Sequence, residues 1–142
     1  MKKFSFSLQK VLQLRKFREE ECKIALGQAT SVLNEIENKI KETALKRHAA
    51  ASARFADTGQ IAVWDLYINR LEMEAQNLTE QAAQAELVVE EKRAQYLEAS
   101  KDLKAIEKLK EKRENEYRKE VSYYEMSEVD ELTSARQLLK DA

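Results

Sequence analysis

From Trp64 to Ile106 the chain repeats a single spacing. Trp64, Ile68, Leu71, Ala75, Leu78, Ala82, Ala85, Val89, Lys92, Tyr96, Ala99, Leu103 and Ile106 follow one another at alternating steps of four and three, and only Lys92 is charged. A helix turns about 100° per residue, so this spacing gathers the side chains into one narrow stripe. A strand would alternate every second residue, and a globular helix would show a broader apolar face. A stripe this narrow, sustained for about six heptads, is buried against another helix in a coiled coil. Beyond Ile106 the seam passes through Lys110, Arg113 and Tyr117 and turns polar.

The partner helix is the preceding segment, expected over about 7–55. Steps of three and four from Leu8 give Val11, Arg15, Arg18, Cys22, Ala25, Ala29, Val32, Ile36, Lys39 and Thr43, with Leu12, Leu26, Leu33 and Ile40 directly beside them. Arg15, Arg18 and Lys39 interrupt this stripe. The chain has no proline and two glycines, Gly27 and Gly59. A β or α/β domain relies on such residues for its turns, so an all-α fold is expected. Hydrophobic residues make up 43% and charged residues 36%, a balance that suits long helices with a thin buried seam.

The strongest breaker cluster is Ala56-Asp57-Thr58-Gly59-Gln60, read as a turn over 56–60. Gly59 is expected to take the left-handed conformation that closes a helix, with Asp57 or Thr58 capping the next one. A second helix then runs over about 61–125. Ser127-Glu128-Val129-Asp130 resembles a capping box, so a break near Met126 and a short helix over 128–140 are expected. With the turn centred near Gly59, residue i faces roughly residue 117 − i. Ala49, Ala50, Ala51 and Ala53 then oppose Trp64, Tyr67 and Ile68, while Ile36 and Ile40 lie near Ala82 and Leu78. Small residues meet large ones, as a packed core requires. A parallel homodimer would set Trp64 against Trp64. The expected architecture is therefore one domain over 1–142, an antiparallel two-helix coiled-coil hairpin with a longer second helix, monomeric. In this register Leu8 faces about Leu109, and the chain beyond has no partner.

Charge and composition narrow the function. The 25 basic and 26 acidic residues give a net charge of −1, without the basic excess of a nucleic-acid binder. No apolar run approaches the ~20 residues of a membrane span. The N-terminus lacks the uninterrupted apolar stretch of a secretory signal. Cys22 is the single cysteine, which favours the cytoplasm. Catalytic residues are not in evidence: His48 stands alone beside an alanine run, Cys22 falls on the seam, and the many carboxylates line solvated helix faces. The chain reads as a non-enzyme without metal or cofactor, a protein that binds other proteins.

Two features stand out. Tyr67 and Leu66 fall off the seam just after the turn, either as a plug closing the hairpin or as a docking surface. Lys101, Lys104, Lys108, Lys112 and Lys119 lie within a face about 80° wide, either solvated or directed at an acidic partner, with Glu107, Glu111 and Glu114 on an adjacent face.

The opening Phe4-Ser5-Phe6-Ser7-Leu8-Gln9-Lys10-Val11-Leu12-Gln13-Leu14-Arg15 resembles the start of the flagellar FliJ family, which begins with an aromatic-x-aromatic-x-leucine stretch and a Leu-x-Leu-Arg-like segment. Trp64-x-x-Tyr67 with Leu71 at the start of the second helix, the alanine-rich heptads and the single turn extend the resemblance over nearly the whole chain. The resemblance implies a cytoplasmic component of the flagellar type III export apparatus, at the inner face of the membrane and similar to the coiled-coil stalk of the ATP synthase γ subunit. It implies two partners, a hexameric export ATPase at the open end of the hairpin and the cytoplasmic domain of the membrane export gate near the start of the second helix. Export chaperones are further candidates. On this basis Trp64, Tyr67, Leu71 and Leu78 are the expected gate contacts, although Arg70 stands near where the family has a phenylalanine. The open end carries Phe4, Phe6 and the expected ATPase contacts Arg15, Arg18, Lys104, Lys108 and Lys112. The alternatives are a generic coiled-coil adaptor or chaperone without an ATPase partner, and a homodimeric filament protein.

Overall fold

A computed structural model describes residues 2–141. Two helices fold into an antiparallel hairpin: α1, Gln9–Ala56, and the longer α2, Ile61–Asp141, joined through a 3-10 turn at Thr58–Gln60. The described chain divides into two compact units, Glu19–Ala99 and a terminal unit formed by the chain up to Arg18 together with that from Ser100 onward.

The reversal works differently from the expectation. Gly59 lies inside the 3-10 turn with an ordinary negative φ, so the left-handed glycine cap is absent. Asp57 makes the bend itself, at φ −119° and ψ 81°, with no side-chain capping hydrogen bond. Its N–H donates to the Ala53 carbonyl at 2.9 Å, closing the last turn of α1. One residue leaves the helical region and a short tight helix turns the chain into α2. The break near Met126 is also absent, and α2 continues unbroken through 128–140. Ser127-Glu128-Val129-Asp130 has the composition of a cap, but no glycine or proline stops the preceding helix, and the Thr133 hydroxyl donates to the Val129 carbonyl within it at 2.9 Å.

In the Glu19–Ala99 unit the α2 seam is the expected one. Each position of the three-four series is buried or half-buried, with Leu71, Leu78, Val89 and Ala99 the most enclosed. The α1 seam takes a different track. Glu19, Cys22, Leu26, Ala29, Leu33, Ile36, Ile40 and Thr43 face inward, whereas Val32 (52% exposed) and Lys39 face solvent. From each shared position the chain offers two next steps. The step that places Leu33 and Ile40 inside leaves Lys39 in water, and burying an unpaired charge is the costlier alternative. Buried Thr43 satisfies its hydroxyl on the Lys39 carbonyl at 2.9 Å. Across the pair Arg54 meets Asp65 at 2.7 Å and Arg47 meets Glu72 at 2.8 Å. Each partner lies two residues beyond the 117 − i expectation, which would have been Val63 and Arg70. Such exposed pairs contribute about 0–1 kcal/mol; their use is to mark the register.

The terminal unit is built on an element absent from the expected hairpin. Phe6 (8% exposed) packs with Leu12 and Ile106 (2%), flanked by Phe4, Val11, Leu103 and Leu109. Phe4 and Phe6 point inward while Ser5 and Ser7 face water. That period of two belongs to extended chain, so α1 begins at Gln9, whose N–H donates to the Phe6 carbonyl at 3.1 Å. The extended strap lies along α2 as far as Tyr117. The Phe4 and Tyr117 rings stand 5.6 Å apart at 46°, and the Tyr117 hydroxyl donates to the Lys2 carbonyl. The paired part of α2 therefore reaches well past Leu109, and it is from Ser122 that α2 is exposed on all sides.

Two sets of substitutions check this reading. Neither glycine is needed for its conformation: a Cβ at Gly27 meets nothing within 4 Å, and one at Gly59 meets only Asp57 Oδ1 at 3.7 Å. Gly27→Ala should stabilise by about 1 kcal/mol, and Gly59→Ala by roughly 0.4–1 kcal/mol, read as an upward shift of the urea midpoint. Ile106→Ala should cost about 2–5 kcal/mol, with Phe6→Ala of the same sign.

Candidate protein-binding surfaces

The first surface lies at the start of α2. The helical phase that turns Leu71 and Leu78 into the seam turns their off-seam neighbours outward. Leu71 and Leu78 are buried hairpin core. Trp64 is half-buried, its indole N–H enclosed without a hydrogen-bond partner. Tyr67 is 38% exposed and meets Trp64 edge-on, the ring centroids 6.3 Å apart. Of the four residues singled out in sequence, Tyr67 is thus the one presented to solvent. Val63, Leu66 (72% exposed) and Met73 are presented with it, and Phe55 at the end of α1 is exposed as well. At about 100° per residue Val63, Leu66, Arg70 and Met73 share one outward arc some 80° wide. Val63, Met73 and Phe55 join the off-seam Leu66 and Tyr67 that the sequence already sets apart. The signal was present as large apolar residues in the opposite phase.

The second surface lies in the terminal unit. The half-buried Arg15 sends Nη1 to the Asp102 main-chain carbonyl at 2.8 Å. It ties α1 to α2, and its guanidinium is occupied within the fold. Arg18 is exposed. Lys104, Lys108 and Lys112 are exposed on the side of α2 opposite the seam residues Leu103 and Ile106. Among the described residues the ion pairs within 4 Å are Arg47–Glu72, Arg54–Asp65 and Arg93–Glu90, none of which uses a lysine of this row. Phe6 belongs to the core and is withdrawn from the open-end surface, and Phe4 is largely so.

Chemistry-bearing side chains are dispersed. Among the described residues no group of three or more His, Cys, Asp or Glu could hold a metal ion. The concavities are open grooves along the helix pair, such as one of about 400 Å³ beside His48, Ile40 and Ala75. Tyr124 has its phenol pushed above the usual range by a hydrogen bond and charge from Glu128, on an exposed helix surface. No described helix is long and apolar enough to cross a membrane. What the molecule offers is helix surface: an apolar arc after the turn and a cationic row in the terminal unit.

The family profile described as "Flagellar FliJ protein" matches residues 4–140. No curated protein and no solved structure matches the chain.

The two kinds of cation should separate by stability. Arg15→Ala removes a charged donor from a half-buried carbonyl and should lower stability by about 1–3 kcal/mol. Neutralising Lys104, Lys108 and Lys112 together to glutamine relieves i,i+4 repulsion and should leave stability level or slightly raised, by roughly 0.2–0.5 kcal/mol per pair. Urea titrations of both variants measure the contrast.

Proposed function

The chain belongs to the flagellar FliJ family and so to the flagellar type III export apparatus, and from that premise we propose that it is a non-enzymatic stalk joining the hexameric export ATPase to the cytoplasmic domain of the export gate. The observation that carries the proposal is the presence of two dissimilar exposed surfaces on one helix hairpin, apolar after the turn and cationic in the terminal unit. The gate surface consists of Tyr67 with Leu66, Val63 and Met73. Trp64, Leu71 and Leu78 support it from beneath by holding the helix in phase. Large apolar and aromatic side chains anchor most interfaces, and these are the ones the fold leaves uncovered.

The ATPase surface consists of Arg18, Lys104, Lys108 and Lys112, with Arg15 fixing the two helices to each other beneath it. Lysines on a convex helix face act as mobile point charges, suited to drawing in an acidic surface. Each exposed pair formed contributes only ~0–1 kcal/mol. Their collective effect falls on the association rate, which salt screens over roughly 8–10 Å at physiological strength.

Binding of the purified chain to each isolated partner tests both ends. Leu66→Ala with Tyr67→Ala should weaken gate-domain binding by at least tenfold while helicity by circular dichroism stays at the wild-type level. Leu71→Ala should instead lower the urea midpoint. Reversing Lys104, Lys108 and Lys112 to glutamate should slow ATPase association about tenfold or more at low salt, flatten its salt dependence and leave gate binding intact. Wild-type rates across the salt titration would remove the lysines from the ATPase interface.

A further inference from the structure

Along α2 from Lys101 to Met126, a face about 100° wide at helical spacing holds Lys101, Lys104, Lys108, Lys112 and Lys119. Every carboxylate of the same stretch, from Asp102 to Glu125, falls outside that face. The separation is unusual in a chain whose 25 basic and 26 acidic residues otherwise intermingle. The five lysines are exposed, and the core residue Ile106 lies on the opposite side of the helix. The row does not end in polar residues. Its line continues into Tyr123, 78% exposed, and Met126, 65% exposed. The arrangement is a cationic row of about 27 Å along one side of the helix, at 1.5 Å per residue, finished by an aromatic and a thioether side chain that the fold leaves uncovered.

We propose that this row docks on an anionic phospholipid bilayer, with the lysines at the phosphate headgroups and Tyr123 and Met126 at the acyl boundary. A row confined to one side of a helix can lie against a plane. Lysine supplies diffuse attraction without the fixed fork that arginine uses for a defined carboxylate. Basic residues flanked by exposed aromatic and apolar side chains are the composition that partitions to bilayer interfaces. The proposal does not rest on the ATPase reading. Since the two share Lys104, Lys108 and Lys112, bilayer and ATPase ring are alternative occupants of one row, taken in turn.

Co-flotation of the full chain with vesicles tests it, using equimolar phosphatidylglycerol and phosphatidylcholine against phosphatidylcholine alone. Partition onto the anionic vesicles is expected at about 0.1 M salt and should disappear near 1 M, where the Debye length falls from ~10 to ~3 Å. Reversing Lys104, Lys108 and Lys112 to glutamate should lower partition by at least on the order of a hundredfold. Tyr123→Ala with Met126→Ala should lower it roughly tenfold while preserving its salt dependence. Equal partition of the wild-type chain onto both vesicle types overturns the proposal, as does a triple reversal that floats like wild type. Salt-dependent ATPase binding without vesicle binding would also overturn it, leaving the ATPase assignment standing.

Discussion

Two helices that each offer one narrow apolar track can bury both tracks only by facing each other. That constraint governs the fold. Roughly two residues in seven reach the seam, so the core is a line of single side chains, and each has few neighbours to share a defect. Alanines in the seam, such as Ala75, Ala82 and Ala85, let the helices approach, and Leu71, Leu78 and Val89 fill the space left between them. Everything off the seam is exposed by necessity. This explains how so charged a chain folds, and why its large apolar residues away from the seam stand out.

At the terminal unit the same constraint meets a shortage of helix. The first helix ends its pairing at Gln9, while the second continues. The strap answers this with extended chain, which rises more per residue than a helix and covers the second helix as far as Tyr117 with few residues. Phe4 and Phe6 stand in for the missing turns of helix. The aromatic-x-aromatic opening that carries the family resemblance is therefore a packing device in this molecule.

The regular part of the fold was legible. The thirteen-residue series from Trp64 to Ile106 predicted burial at each of its positions, because its phase is unambiguous and one charge interrupts it. The first helix was harder to read. Val32 and Leu33 are both apolar, and the same holds at Val11 and Leu12, so spacing alone left two tracks, and the cost of burying Lys39 decided between them. The strap lies outside helical periodicity, so spacing leaves Phe4 and Phe6 on the open-end surface although they pack into the core. Gly59 and Ser127-Glu128 carried turn and cap chemistry that the backbone did not use, since a breaker permits a break without requiring one. At the candidate surfaces, Leu71 and Leu78 were expected from the family resemblance, which points to the start of the second helix without regard to phase, and burial in the seam keeps them from a partner. Arg15 looked like a free cation because nothing in a sequence reveals a carbonyl 87 positions away.

The unbroken second helix has one more consequence. From Ile61 to Asp141 the helix is continuous in sequence, with no glycine or proline inside it. The azimuth of every exposed residue is set by its count from the seam. One extra residue between Ile106 and Lys108 would swing the rest of the cationic row about 100° around the helix, whereas seven would displace it by only about 20°. For this chain length and angle are a single variable, and its surfaces tolerate change in units of the heptad.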